Sequence, residues 1–286
     1  HSPFGHAGER GLQNAMKKYG GFDHNIQSLK IMTKLESHYP EFEGLNLSWE
    51  TIEGTVKHNG PIKKINNSYL KEYNKKFDLE LKRFPNLEAQ VAAIADDIAY
   101  LNHDIDDGCR AEMFSLEQLR ELPFIDKIIH DFENKHCVLD QNLKIYAVTR
   151  NMIARMVFDA LDNSKANLKR LKIRSHEDAP KQKIFTVDFS DQMKTEIAQL
   201  RVFLKEHFYT NTQVARMDMK SQRIVEELFA LFTSDWKLLP EEVRSRLSPC
   251  SKDAEIADTV CTYIANMTDM NAVEEHRKLY DVHTRF

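Results

Sequence analysis

Between residues 87 and 108 the apolar side chains Leu87, Val91, Ile94, Ile98, Leu101 and Ile105 step by four and three, the spacing of one helix face. The same period recurs over most of the chain. Residues 24–38 carry Ile26, Leu29, Ile31, Met32 and Leu35 and stop before Pro40. Ile145, Met152, Met156, Phe158 and Leu161 mark a long helix from about residue 139 to 173. Helices are also predicted for residues 9–19, stopped by Gly20-Gly21, and for 48–57, with Ser48 as N-cap and Asn59-Gly60-Pro61 as the stop. A charged helix is expected over 67–83, and Ser115 with Gln118 has the spacing of a capping box. Beyond Pro180 the pattern predicts helices at 191–207, 217–232, 240–247, 253–267 and 271–279. Only 183–189, where Ile184, Val187 and Phe189 alternate loosely, leaves room for a short strand or an extended linker. The pattern is that of an all-α protein.

Composition narrows this only a little. The 286 residues, 42% hydrophobic and 29% charged, are enough for one large domain or two with an ample core. The longest apolar runs, such as 91–95, are far too short to span a bilayer. A net charge of −4 excludes a global basic field for nucleic acid, so a polyanionic substrate has to be held by local charge or by metal. Cys109, Cys137, Cys250 and Cys261 form no C-x-x-C pair and read as reduced, buried thiols of a cytoplasmic protein. All nine glycines lie between Gly5 and Gly108. Tight turns and close backbone approaches are therefore confined to the first third of the chain. The expected division is a site-bearing region over 1–135 and a helical region over 136–286 packed on it as one continuous globule.

Histidines and carboxylates gather where the glycines are. His1 and His6 flank Ser-Pro-Phe-Gly, and Glu9 lies one turn past His6. On a helix beginning near His6, positions 6 and 9 share a face, so Glu9 can orient an acid–base imidazole. The same residues equally describe a helix start with an acidic side chain near the dipole. Asp96, Tyr100, His103 and Asp107 form a stripe opposite the apolar one, with Asp97 and Asp104 alongside. This is either a solvated acidic face or, given the small Ala92, Ala93, Ala95 and Ala99, a carboxylate face turned to a cation-holding cavity. His24 with Asn25 fits a helix start, and Lys57-His58-Asn59-Gly60-Pro61 a helix stop and turn. Arg201 and Tyr209 are widely spaced polar positions on or near one helix. No phosphate-cradling glycine loop, Ser-His-Asp spacing or zinc-ribbon pattern is present.

The segment from His1 to Glu9 resembles the tail of the H-D-x-G-H-x-P-F-G-H-x-G-E signature of the deoxyguanosine triphosphate triphosphohydrolases, members of the HD-domain superfamily. Four further blocks are similar to that family, in the same order. They are Phe22-Asp23-His24-Asn25 with Gln27-Ser28-Leu29, and Gly44-Leu45-Asn46-Leu47 through Lys57-His58-Asn59-Gly60-Pro61. Glu88-Ala89-Gln90 through Asp96-Asp97-Ile98-Ala99-Tyr100 and Ala265-Asn266-Met267-Thr268-Asp269 complete the set. The resemblance implies an HD-domain-like multi-helix bundle with a C-terminal helical extension. The implied reaction is hydrolysis of dGTP, or another deoxynucleoside triphosphate, to deoxynucleoside and intact triphosphate by attack of water on the α-phosphorus. It implies a divalent metal (Mg²⁺, Mn²⁺ or similar) with Asp96 among its ligands, His6 as catalytic histidine and Glu9 as its partner. His24 and His1 resemble histidines that contact the phosphates near the scissile bond, His24 within the catalytic group and His1 among the substrate-binding residues. Tyr100, Asp104, Arg201 and Tyr209 resemble positions lining the deoxynucleotide. The helix over 87–108 is accordingly expected to face the 1–24 segment across the site. A cytoplasmic homo-oligomer, with neither membrane nor nucleic acid as partner, completes the implied picture.

One departure bears on activity. The His-Asp dyad and first ligand histidine of the family pattern belong upstream of His1 and are not in this sequence. A lone carboxylate makes no firm metal site, so the 286-residue chain as given is expected to hydrolyse dGTP poorly. Two other functions remain compatible with the residues: an HD phosphohydrolase acting on another nucleotide, and an inactive nucleotide-binding or oligomer-forming subunit.

Overall fold

The computed structural model describes residues 2–136 and 140–283, so the expectation for His1 lies outside the described residues. Among the described residues the fold is all-α, with no strand. The helices are α1 (Gly5–Ala15), α2 (His24–Lys30), α3 (Trp49–Lys57), α4 (Ser68–Lys76), α5 (Leu87–Arg110), α6 (Leu116–Leu119) and α7 (Pro123–Glu133). The chain continues through α8 (Gln141–Arg170), α9 (Asp191–Leu204), α10 (Thr212–Ser234), α11 (Glu241–Arg244), α12 (Asp253–Ala265) and α13 (Asp269–Tyr280). Helix α1 tightens into a 3₁₀ turn at Met16–Tyr19 and ends at Gly20, whose φ of 105° is open to glycine at little cost. Helices α2 and α9 loosen into π turns at Ile31–Leu35 and Lys205–Tyr209. No helix among the described residues is long and apolar enough to cross a membrane.

Two compact units are formed from interleaved segments. The first comprises His1–Ser48, Lys64–Asp78 and Ala215–Phe286; the second comprises Trp49–Lys63 and Leu79–Val214, and includes residues 135 and 136. In the first unit Leu12 and Met16 of α1 pack with Val225, Leu228 and Phe232 of α10 and with Val260 and Ile264 of α12. In the second, Ile98, Leu101 and Ile105 of α5 pack with Met152 and Met156 of α8 and Leu200 and Leu204 of α9. Full burial of such side chains contributes about 2 kcal/mol each.

The helix expected over 67–83 is shorter. Asn67 caps it, accepting from Leu70 N at 3.2 Å, but it stops at Lys76. Leu79 and Leu81 are both buried on either side of Glu80, whose left-handed φ of 48° takes the chain out of helical geometry into a turn closed by Arg83 N donating to the Glu80 carbonyl at 2.8 Å. The carbonyls exposed by that stretch meet Lys57. Its Nζ lies 2.7 Å from Glu53 Oε1 and donates to the Glu80 and Arg83 carbonyls at 3.0 and 3.2 Å, with Glu53 and Lys57 each 1% exposed. Glu53 Oε2 in turn accepts from Asn86 Nδ2 at 2.6 Å, and Asn86 Oδ1 caps α5 by accepting from Ala89 N. The Lys57-His58-Asn59-Gly60-Pro61 block is thus more than a turn, since its lysine ties α3 to the Glu80–Arg83 stretch while Glu53 ties it to the cap of α5.

Residues 183–189 form an irregular, bent connector and no strand. Its Thr186 and Val187 N–H groups donate to Gln90 Oε1 at 2.8 and 3.0 Å. The capping box at Ser115 and Gln118 is present. Cys109 and Cys261 are buried free thiols, burial pushing each up to about 12, but Cys250 is exposed, contrary to the expectation of buried cysteines throughout. Cys137 lies outside the described residues.

Candidate active site

In the first unit, Phe4 turns the chain into α1 with a left-handed φ of 62°, its N–H donating to Asp269 Oδ1 at 2.8 Å. That bond ties the His1–Glu9 block to the Ala265–Asp269 block at the start of α13. Gly8 fixes how tightly the turn folds back on the helix. A Cβ there would stand 1.8 Å from the Pro3 carbonyl oxygen, so no other residue fits without moving the backbone. His6 and Glu9 are then presented on one face of α1.

Glu9 bridges two histidines. Its Oε1 lies 2.7 Å from His24 Nδ1 and also accepts from the His24 backbone N–H at 3.3 Å. Its Oε2 lies 3.5 Å from His6 Nδ1, the outer limit of a hydrogen bond. Burial alone would raise the Glu9 carboxyl, but the hydrogen bonds and charge of His24, with a smaller share from His6, hold it below the usual carboxylate range. An ionised carboxylate only accepts, so His24 Nδ1 carries the proton between them. Spacing along the chain offered His6 as the partner of Glu9. The tighter partner is His24, fifteen positions away and brought in by the Gly20-Gly21 turn. Asp23 sets His24 at the first position of α2 by capping that helix, accepting from Asn25 N at 2.8 Å and Ile26 N at 3.2 Å.

In the second unit, α5 and α9 bring together residues a hundred positions apart. Tyr209, on the π turn after α9, donates its hydroxyl to Asp104 Oδ2 and lies 3.2 Å from the Tyr100 hydroxyl. Burial, then the bonds to Asp104 and Tyr100, push the Tyr209 phenol upward, so it stays protonated and acts as a donor. Arg201 Nη2 donates to Asp97 Oδ1 at 3.0 Å, one residue past Asp96. Arg201 and Tyr209 are thus tied to Asp97, Tyr100 and Asp104 of α5. Asp97, placed by the sequence only alongside the acidic stripe, is the anchor of Arg201, a pairing that residue spacing did not show. Asp104 is buried, whereas Asp96, Asp97, His103 and Asp107 are exposed. The stripe thus mixes a solvated acidic edge with one enclosed carboxylate.

A divalent metal does not fit the described residues by themselves. Among them no three His, Cys, Asp or Glu side chains converge as a cation site. Asp96 is an exposed carboxylate, and its neighbour Asp97 is committed to Arg201.

Comparison with known proteins places these features in a family. Residues 187–278 match the phosphohydrolase-associated domain. A deoxyguanosinetriphosphate triphosphohydrolase-like protein of Caulobacter sp. (strain K31) is 42% identical over 99% of this chain and 72% of its own length. Proteins of the same name from Rickettsia bellii (strain RML369-C) and Brucella canis (strain ATCC 23365 / NCTC 10854 / RM-666) are 39% and 43% identical over 98% of this chain, which spans 73% and 72% of them. With identities of 39–43% over essentially its whole length, the chain belongs to the deoxyguanosinetriphosphate triphosphohydrolase-like proteins, a hydrolase family.

Proposed function

We propose that the protein hydrolyses a deoxynucleoside triphosphate, dGTP in the first instance, to deoxynucleoside and intact triphosphate. Water attacks the α-phosphorus, the new P–O bond forms to that water, and the 5′-oxygen of the deoxynucleoside leaves with a proton. His6 handles the proton at the reacting oxygen, a role that imidazoles fill near neutral pH. Glu9 fixes the His24 tautomer through Nδ1, which leaves Nε2 as the atom facing phosphate chemistry. Arg201 supplies positive charge for the phosphates, and the Tyr209–Asp104–Tyr100 cluster lines the deoxynucleoside. Asp96 acts as a cation ligand only in company with donors that the described residues do not supply, so no step is assigned to a metal.

The observation that carries this reading is the Glu9 bridge, 2.7 Å to His24 and 3.5 Å to His6. A carboxylate holding two imidazoles is an acid–base assembly more specific than a helix-start decoration. The test is product analysis by ion-exchange chromatography, using the chain joined to an upstream segment that bears the family's His-Asp dyad. His6→Ala should lower triphosphate release roughly a hundredfold or more, and Asp96→Ala should abolish it, each with helicity unchanged. Near-normal turnover in either variant would remove that residue from its role.

A further inference from the structure

The Ala265–Asp269 block belongs to neither side-chain cluster, yet it bonds to both segments that carry the histidines. Asn266, the residue that ends α12, accepts at Oδ1 from Gln27 Nε2 of α2 at 3.2 Å. Gln27 is buried and lies one turn past His24. Three positions after Asn266, Asp269 opens α13 and accepts from the Phe4 N–H at 2.8 Å. All of these residues belong to the first unit. The corner between α12 and α13 thus holds α2 on one side and the turn into α1 on the other. Asp269 is not needed to cap its own helix, since Thr268 does so by accepting from Asn271 N at 3.2 Å. Phe4 is the residue that needs an acceptor. At the N-cap of α1 its N–H has no partner inside the helix. Its left-handed φ of 62° is unfavourable for a bulky side chain and persists only where the surroundings over-determine it. The ring packs against the core of the first unit, and Asp269 takes the N–H. His6 stands two residues further on, so its place depends on that φ. Glu9 is held from another direction, by His24.

We propose, resting on His6 as the group that handles the proton, that Asp269 is a positioning residue for the hydrolysis. Through the Phe4 N–H it holds the turn that sets His6 against the reacting oxygen. The bond from Gln27 to Asn266 keys that hold to the helix of His24, so the two imidazoles keep their places relative to one another. Asp269 touches neither substrate nor imidazole, and acts only through the backbone of Phe4. Its loss therefore falls on the chemical step and not on the affinity for substrate.

A double-mutant cycle with His6 tests this, read by steady-state kinetics with dGTP in the chain joined to the dyad-bearing upstream segment. Asp269→Ala should lower kcat about tenfold and leave KM within about twofold, with the protein folded at the assay temperature by circular dichroism. Asp269→Asn, which keeps an oxygen for the Phe4 N–H, should recover most of that loss. Met270→Ala, at the next and exposed position, should change nothing. In a His6→Ala background, Asp269→Ala should cost less than about twofold more, because the residue it acts through is gone. Nitrogen-15 spectra of the imidazoles give a readout independent of turnover. Asp269→Ala should shift the His6 ring signals and leave the Nδ1–H form of His24 in place, whereas Asp269→Asn should leave both. An unfolded Asp269→Ala, losses that multiply in the cycle, an Asp269→Asn as damaged as the alanine variant, or unmoved His6 signals would each overturn the proposal. Multiplied losses beside an inactive His6→Ala strike the role of Asp269 alone. A His6→Ala that turns over normally strikes the role of His6, and that of Asp269 falls with it.

Discussion

At Glu9 one carboxylate serves two imidazoles, and the pH dependence of its contribution follows from that. The folded protein holds this carboxyl below its ordinary value of 4.5. A depressed carboxylate stabilises the fold above the unfolded value, and the contribution is lost as pH falls through the folded value. Glu9→Gln should therefore unfold at lower urea than the parent at neutral pH. The gap should close as pH drops below 4.5; a gap that widens on acidification would reverse the assignment. In turnover, Glu9→Gln should do less damage than His6→Ala, because the amide still fills the space beside His24. Tyr209 invites a second test. Tyr209→Phe removes the donor to Asp104, a buried carboxylate, and should cost about 1–3 kcal/mol of stability. It should also raise KM for dGTP more than it lowers kcat. An unchanged melting temperature would mean that water replaces the hydroxyl.

Among the elements, the one most exposed to a single substitution is the clasp of α3 on the start of α5. Lys57→Met would leave Glu53 charged, 1% exposed and without its cation, so the unfolding free energy should fall by about 3–5 kcal/mol. A loss under about 1 kcal/mol, read from urea titration, would show that the pair holds nothing. This clasp also marks where the sequence is legible and where it is not. Helical period, caps and glycine stops located the helices well, since those signals act within a few residues: the Gly20 stop and the Ser115 capping box are both present. They overran at α4 because the turn at Glu80, with its left-handed φ of 48°, is held by carbonyl bonds from Lys57, more than twenty positions away. The apolar stripe of α5 was read correctly as a stripe, yet Val91 is half exposed, since periodicity says which residues share a face and not what covers it. In the candidate site, His6 with Glu9 was readable as a local pair. The stronger tie from Glu9 to His24 and the Tyr209 bond to Asp104 depend on tertiary approach, which residue spacing does not encode.

For the molecule as a whole, family membership rests on identity near 40% along essentially the entire chain, and the function proposed from it rests on the two side-chain clusters. The measurement that tests the reaction most directly follows oxygen. Turnover of dGTP is run in oxygen-18-labelled water with Mg²⁺ or Mn²⁺, using the chain joined to the dyad-bearing upstream segment, and products are resolved by mass spectrometry. Attack of water on the α-phosphorus predicts deoxyguanosine and triphosphate in equal amounts, with one labelled oxygen in the triphosphate and none in the deoxyguanosine. Label in the deoxyguanosine, or release of orthophosphate or of dGMP with pyrophosphate, would contradict it.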